Sequence, residues 1–415
     1  MEGLGFEANR TVAPRGHWVE PGTSSALCLL AGGKHGAEGR SLPCCLYSES
    51  IAPFLRFDGP QPNQLYVVGG RDQQQDPLDT VEMFDAWHGR WTTCPSMLSR
   101  RAGCAAAVLP EGRLLVVGGY DGRGIAEGLL ASCEAFDPVL QTWELQSAAL
   151  MRARWGHGCA SLHGQVFTVG GCSLPQGAPP DEALMETLRS CEVYDPTAKA
   201  WTPCAELHVA RAGARVVTMG DRYLAAVGGC DDVFGRAELL PTVELFDTQT
   251  GRWTLLEPQL SMPRTTAGVA PLDDRQILII GGTPMQSSGE VYRVPEPKRS
   301  GAAQAPAGEA PAGRSPKRPP VCRLTEGRMG CQAVAMKLPA PNRDFPLCTR
   351  QCVLVVGGEN GDEDLDVEFR QFRSIPVYDV EADEWRPEKS FPPIPTPRTA
   401  MALVVGPGLI SGHPQ

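Results

Sequence analysis

The stretch VEMFDAWHGRW at residues 81–91 decides how this chain is read. A glutamate interrupts a short apolar run, and an aspartate is followed six residues later by a tryptophan. The same pattern returns as CEAFDPVLQTW (133–143), CEVYDPTAKAW (191–201), VELFDTQTGRW (243–253) and, more weakly, IPVYDVEADEW (375–385). The step from Asp to Trp is identical in all five copies: 85–91, 137–143, 195–201, 247–253 and 379–385. Each copy reads as a β-strand, a turn of fixed length and the start of a second strand, because β-branched and aromatic residues fit a pleated surface.

Other features recur with it. Gly-Gly pairs fall at 32–33, 69–70, 118–119, 170–171, 228–229, 281–282 and 357–358, most of them after apolar runs such as QLYVVGG and RLLVVGG. A further strand opens with arginine and small residues: RAGCAAAVL, RWGHGCASL, RAGARVVTM and RTTAGVAPL. Arg15, Arg101, Arg211 and Arg264 each stand 17 residues before a Gly-Gly pair, and Arg154 stands 16 before one. One repeat therefore contains an Arg-led strand, a Gly-Gly strand, a Glu-aromatic-Asp strand and a strand opening at Trp, with a period near 50 residues.

Glycine doublet, E-x-[FY]-D, a six-residue step to Trp and a following Arg: this arrangement resembles the kelch repeat, over about residues 15–405. The resemblance implies an all-β, kelch-type β-propeller of four-stranded antiparallel blades around a channel. Seven Gly-Gly units lead to an expectation of seven blades, with six as the alternative and residues 1–48 as an appendage. The first repeat is irregular: only 37 residues separate Gly32 from Gly69 and no Trp stands between them. PRTAMALVV (397–405) reads as a strand that completes the first blade and fastens the termini.

Composition sets further bounds. With 46 Gly and 38 Pro among 415 residues, many short elements are expected and long helices are not. A formal net charge of −10 argues against nucleic acid as a partner, since phosphate binding requires a basic face. No signal peptide or membrane span is read. Fifteen cysteines occur without a C-x-x-C pair. Several occupy repeat-equivalent slots (Cys133 and Cys191; Cys104, Cys159 and Cys331; Cys172 and Cys230), which assigns them to the core of a protein in a reducing compartment, the cytoplasm or alternatively the nucleus.

Strands of a blade alternate in direction, so the fixed Asp-to-Trp turns lie on one face. The loops from Gly-Gly to the Glu slot lie on the other, and their steps of 12, 15, 21, 15, 8 and 18 residues (70–82, 119–134, 171–192, 229–244, 282–290, 358–376) vary within one chain. Loops that differ on a rigid frame are where binding concentrates. The candidate partner-binding residues are accordingly Asp72, Asp121, Asp231, Asp232, Glu359 and Asp362 on that face, with Arg101, Arg154, Arg211, Arg264 and Arg398 near the channel mouth. The Arg series has a structural alternative, hydrogen bonding at the mouth. The repeated glutamates (82, 134, 192, 244, 290) read as ties to Arg or backbone, because a buried carboxylate must be paired. The tryptophans read as packing residues, and His17 and His157 as structural ones.

The organisation expected is an N-terminal extension (1–14), a first part of the propeller (15–294), a disordered Pro/Ala-rich insertion (295–320), the last blade and closing strand (321–405), and a tail (406–415). The insertion carries SPKR, in which Ser315 is a candidate phosphosite. Three functional readings stand. The resemblance implies a non-catalytic interaction scaffold with a protein partner, as in ubiquitin-ligase recognition modules and actin-associated proteins; only 14 residues precede Arg15, so a BTB or F-box domain would come from a separate chain. It also leaves a channel-mouth enzyme acting on sugars, although a copper oxidase needs clustered Tyr and His, and the seven of each are scattered. The third is a truncated isoform with little activity. No nucleophile motif, metal spacing or phosphate loop is present, so no cofactor and a monomeric ring are expected.

Overall fold

The computed structural model describes residues 64–86, 88–177, 185–232, 238–284, 287–295, 323–339, 349–360 and 368–406. They form six antiparallel blade sheets and one two-stranded antiparallel sheet, Cys172–Ser173 with Glu186–Thr187. Blade 1 runs, from the axis outward, Ala402–Gly406, Gln64–Val68, Val81–Asp85 and Arg90–Cys94. Blade 2 is Ala105–Val108, Leu114–Val117, Cys133–Asp137 and Thr142–Leu145; blade 3 is Gly158–Leu162, Gln165–Val169, Cys191–Asp195 and Ala200–Cys204. Blade 4 is Arg215–Met219, Tyr223–Val227, Val243–Asp247 and Arg252–Leu255. Blade 5 shows Gly268–Pro271, Gln276–Ile280 and Gly289–Arg293, and blade 6 is Gln332–Pro339, Thr349–Val356, Val377–Asp379 and Glu384–Trp385.

Six sheets form where seven blades were expected. The reason lies in the closure. Strand 402–406 pairs with 64–68 in the register Gln64↔Gly406 to Val68↔Ala402, so the chain's last strand completes the sheet of Gly69–Gly70. The Gly32–Gly33 unit, Arg15 and His17 lie outside the described residues, as does the 295–320 insertion beyond Pro295.

Closure is visible in three further ways. Six apolar clusters fill six seams; one of them joins Met336, Leu354 and Val356 of blade 6 to Leu65, Val67 and Phe84 of blade 1. Inner strands are neighbours in a cycle from blade 1 to blade 6 and back. At their starts, residues two positions after each leading arginine join into a ring of hydrogen bonds: Gly103 N to Ala400 O, Gly156 N to Gly103 O, Gly213 N to Gly156 O, Thr266 N to Gly213 O, Gly330 N to Thr266 Oγ1, and Ala400 N to Gly330 O, at 2.8–3.3 Å. All six have a left-handed backbone, φ 51–66°.

The doublets are glycine for a steric reason. The first Gly of each pair has positive φ, and a Cβ there would meet the carbonyl oxygen of the next blade's leading arginine at 2.3–2.7 Å (Gly69 against Arg101, Gly118 against Arg154, and so around the ring). That carbonyl instead accepts the N–H of the second Gly, as in Gly70 N to Arg101 O at 2.9 Å.

The opening motif resolves residue by residue. Its aromatic faces the tryptophan directly across the strand pair (Phe84↔Trp91, Phe136↔Trp143, Tyr194↔Trp201, Phe246↔Trp253, Tyr378↔Trp385), with ring centroids 4.9–5.5 Å apart. Its aspartate holds the turn by accepting backbone N–H groups, for example Val139 N and Leu140 N on Asp137 Oδ1 at 2.8 and 2.9 Å. Trp91, Trp143 and Trp253 donate their indole N–H to Pro392, Pro95 and Ala205 in the neighbouring blade. The described cysteines form no disulfide, and all but Cys159 and Cys204 are buried. No helix among the described residues is long and apolar enough to cross a membrane.

Candidate functional site

The leading arginines are placed inside the scaffold. Arg101, Arg154, Arg211 and Arg398 are 0% exposed and Arg264 is 2% exposed, so no guanidinium among the five has a face toward a partner. This corrects the expectation that they contact one. Each Nη1 donates to the carbonyl of the first Gly of its own blade, at Gly118, Gly170, Gly228, Gly281 and Gly69, over 2.8–2.9 Å.

Each arginine also pairs with its blade's glutamate: Arg101–Glu134 at 2.9 Å, Arg154–Glu192 at 2.6 Å, Arg211–Glu244 at 2.7 Å, Arg264–Glu290 at 3.6 Å and Arg398–Glu82 at 3.1 Å. The glutamates accept in turn from the connector between blades, as in Leu98 N to Glu134 Oε2 (2.7 Å) and Met151 N to Glu192 Oε2 (2.7 Å). Burial alone would raise the Glu244 pKa, but Arg211 and His208 outweigh it and hold the carboxyl below its ordinary value. Arg328 is the sixth member of the series. Its glutamate slot is Pro376, and the guanidinium lies over the Phe372 ring at 4.3 Å while donating to Gly357 O and Ser374. With no carboxylate beside it, burial pushes its pKa down to about 10.

The acidic candidates divide. Asp72, Asp121 and Asp231 occupy one slot, two residues after the second Gly, and each closes the base of its loop. Asp72 Oδ1 accepts Gln74 N and Asp76 N, Asp121 Oδ1 accepts Arg123 N, and Asp231 Oδ1 accepts Glu238 N, at 2.9–3.1 Å. Asn360 fills the same slot in blade 6 and accepts Arg370 N at 2.8 Å. Asp232 is exposed on the variable face. Asp362 and Ser315 lie outside the described residues. His157 is buried beside Arg154, and burial followed by that positive charge presses its pKa down to about 3, so it stays neutral.

Glu359 has company that the repeat pattern did not announce. The residue after each doublet (Arg71, Tyr120, Cys172, Cys230, Thr283, Glu359) bridges to the residue after each leading arginine (Thr399, Ala102, Trp155, Ala212, Thr265, Met329), and these twelve surround the hydrogen-bonded ring. Within them the Arg71 guanidinium lies 5.5 Å from the Trp155 ring centroid. Gln371 donates to Asp72 O at 2.8 Å, stitching blade 6 to blade 1, and Gln371 and Gln75 both reach Glu359 Oε2. Burial raises the Glu359 pKa. Arg71 Nε, Trp155 Nε1 and Gln371 Oε1 are buried and make no hydrogen bond among the described residues. Farther out on the same face, Leu98, Met151 and Met262 are exposed at 60%, 63% and 40%. No repeat pattern marks Arg71 and Trp155, because their slots carry a different residue in nearly every blade.

Beyond the ring, toward the fixed turns, the inner strands enclose a cavity of about 290 Å³. No carboxylate lines it, and the described residues hold no cluster of His, Cys, Asp and Glu able to bind a metal.

Comparison with known proteins follows this geometry. Residues 61–282 match the KLHDC2/KLHL20/DRC7 Kelch-repeats domain. Kelch-like protein 35 of Mus musculus is 29% identical over 52% of the chain and 34% of its own length. Kelch-like protein 25 of Xenopus tropicalis is 26% identical over 65% of the chain and 38% of its own length. Beta-scruin of Limulus polyphemus is 27% identical over 52% of the chain and 24% of its own length. The chain thus spans between a quarter and two fifths of these relatives. The solved structure of YjhT superposes with a TM-score of 0.53 at 15% identity, covering 80% of this chain and 98% of that one, and speaks to fold alone.

Proposed function

The chain belongs to the kelch-repeat family, and from that premise we propose that it is a non-catalytic interaction module binding a protein partner through its variable face. One observation carries the reading: the centre of that face holds Arg71 against Trp155, with Glu359 and Gln371 beside them, and buried polar atoms of three of these residues have no hydrogen-bond partner among the described residues. Buried donors and acceptors without partners are costly, about 1–3 kcal/mol each, and a ligand that satisfies them recovers that cost. The exposed Leu98, Met151 and Met262 add apolar area around this centre. Electrostatic fit comes from adjacent groups of both signs, so a partner offering a carboxylate to Arg71 and an amide to Gln371 is the match. The same reading takes six blades as the complete ring, residues 295–320 as an insertion after the third strand of blade 5, a monomer, and a cytoplasmic site of action.

The sugar-enzyme alternative is less well supported. An isomerase would draw on Arg and Glu lining the channel, yet the repeat glutamates are committed inside the blades and no carboxylate lines the cavity. The test is affinity capture with the wild-type chain, Arg71→Ala and a fixed-face control, Thr250→Ala. The partners captured by wild type are expected to persist with the control and to fall away with Arg71→Ala. Equal loss in both variants, or loss in the control alone, would overturn the assignment of the face.

A further inference from the structure

One positive charge lines the central cavity. Arg215 opens the inner strand of blade 4, four residues after its leading arginine. The same slot in the other blades holds Ala105, Gly158, Gly268, Gln332 and Ala402. Four small residues leave space at this level of the channel, and in blade 3 a Cβ in the slot would meet Val216 of the next blade. Arg215 follows that direction: its Nε donates to Ala267 O at 3.0 Å and its Nη2 to Cys331 O at 3.1 Å, so the side chain spans from blade 4 to blades 5 and 6. Across the axis, Gln332 donates to Met401 O at 2.9 Å.

The geometry separates the two edges of the guanidinium. The Nε/Nη2 edge is fixed on two carbonyls from neighbouring blades, which locks the rotamer. Nη1 has no hydrogen-bond partner among the described residues, and Arg215 takes part in no ion pair there, in contrast to the five arginines paired with glutamate. The pKa is pushed down to about 10 by burial, opposed only by the weak influence of Cys331. A guanidinium still carries its charge at neutral pH, so an uncompensated cation sits in a cavity without a carboxylate, inside a chain of net charge −10. His157, the imidazole at the lining, is neutral.

We propose that the central channel carries an oxyanion site built on Arg215, taking a small carboxylate or a tetrahedral anion of sulfate or phosphate type. The free Nη1/Nη2 edge presents two parallel N–H donors, which match the two oxygens of such a group and not a spherical halide. The about 290 Å³ of the cavity admits a small anion and excludes a folded partner. The ligand enters from the face of the fixed turns, because the hydrogen-bonded ring through Gly103, Gly156, Gly213, Thr266, Gly330 and Ala400 crosses the other end. This site is separate from the partner-binding centre at Arg71, and neither depends on the other.

The test is thermal unfolding and titration calorimetry of the full chain with sulfate, with acetate and with chloride at equal ionic strength. Wild type is expected to gain a saturable rise in midpoint from sulfate or acetate above that from chloride; the stronger of the two identifies the anion class. Arg215→Gln is expected to lose that increment, whatever its midpoint without anion. Arg215→Lys keeps the charge but not the paired donors and is expected to bind about tenfold more weakly. No increment over chloride in wild type, or an increment that persists in Arg215→Gln, overturns the site. Should Arg215→Gln fail to fold, unchanged affinity in Arg215→Lys overturns it equally.

Discussion

A carboxylate shut away from water is tolerable when its charge is met, and Glu134 meets that condition through Arg101 and the Leu98 amide. Removing one member of a buried pair strands the other, at a cost of about 3–5 kcal/mol. Glu134→Ala is therefore expected to lower unfolding stability by about that amount, measured by urea denaturation. Glu290→Ala should cost clearly less, because that carboxylate is 17% exposed and stands 3.6 Å from Arg264. Equal costs for both would contradict the pairing geometry. The positions of these residues were legible as constant steps. Their inaccessibility was not, because it arises from packing against a second blade that the repeat itself does not contain. For the same reason Asp72, Asp121 and Asp231 looked like free acids until the backbone N–H groups they accept were in view.

At the scale of the element, the turn inside VEMFDAWHGRW and its copies has one shape. Its fourth residue takes positive φ whatever its identity: Gly89 (64°), Gln141 (55°), Lys199 (50°), Gly251 (65°) and Asp383 (55°). A Cβ at Gly251 would meet nothing within 4 Å, so the backbone alone sets the cost of filling it. Gly251→Ala is expected to destabilise by about 1 kcal/mol, and Lys199→Gly to stabilise by a similar amount, both read from denaturant midpoints at unchanged slope. The strand pair was predictable from its aromatic–Trp spacing, and the aspartate from turn chemistry. The ring of left-handed residues two positions after each arginine is not announced by the repeat, although R-x-G is written four times at 101–103, 154–156, 211–213 and 328–330. Thr266 and Ala400 hid it: a left-handed threonine or alanine is uncommon, and only the hydrogen bonds around the axis make it necessary.

For the whole molecule, closure is the property on which the rest depends. Strand 402–406 supplies the inner edge of blade 1, and Arg398 ties it to Gly69 and Glu82. Ending the chain after Pro397 would leave the Gln64–Val68 edge of blade 1 unpaired and open the cluster that joins Leu65 and Phe84 to Met336 and Leu354. Such a chain is expected to lose its single cooperative thermal transition and to aggregate, checked by calorimetry and light scattering; retention of one wild-type transition would show that closure is dispensable. Sequence by itself determined the repeat, the strand order within a blade, the fixed and variable faces and the closing strand, because each of these is a local pattern copied along the chain. Only the tertiary structure decided that the described residues form six blade sheets, that the leading arginines pair inside the blades, and where Arg71, Trp155 and Arg215 stand. Blade number and side-chain commitment are set by how copies pack around a common axis, and a repeat carries no information about the axis until all its copies are in place.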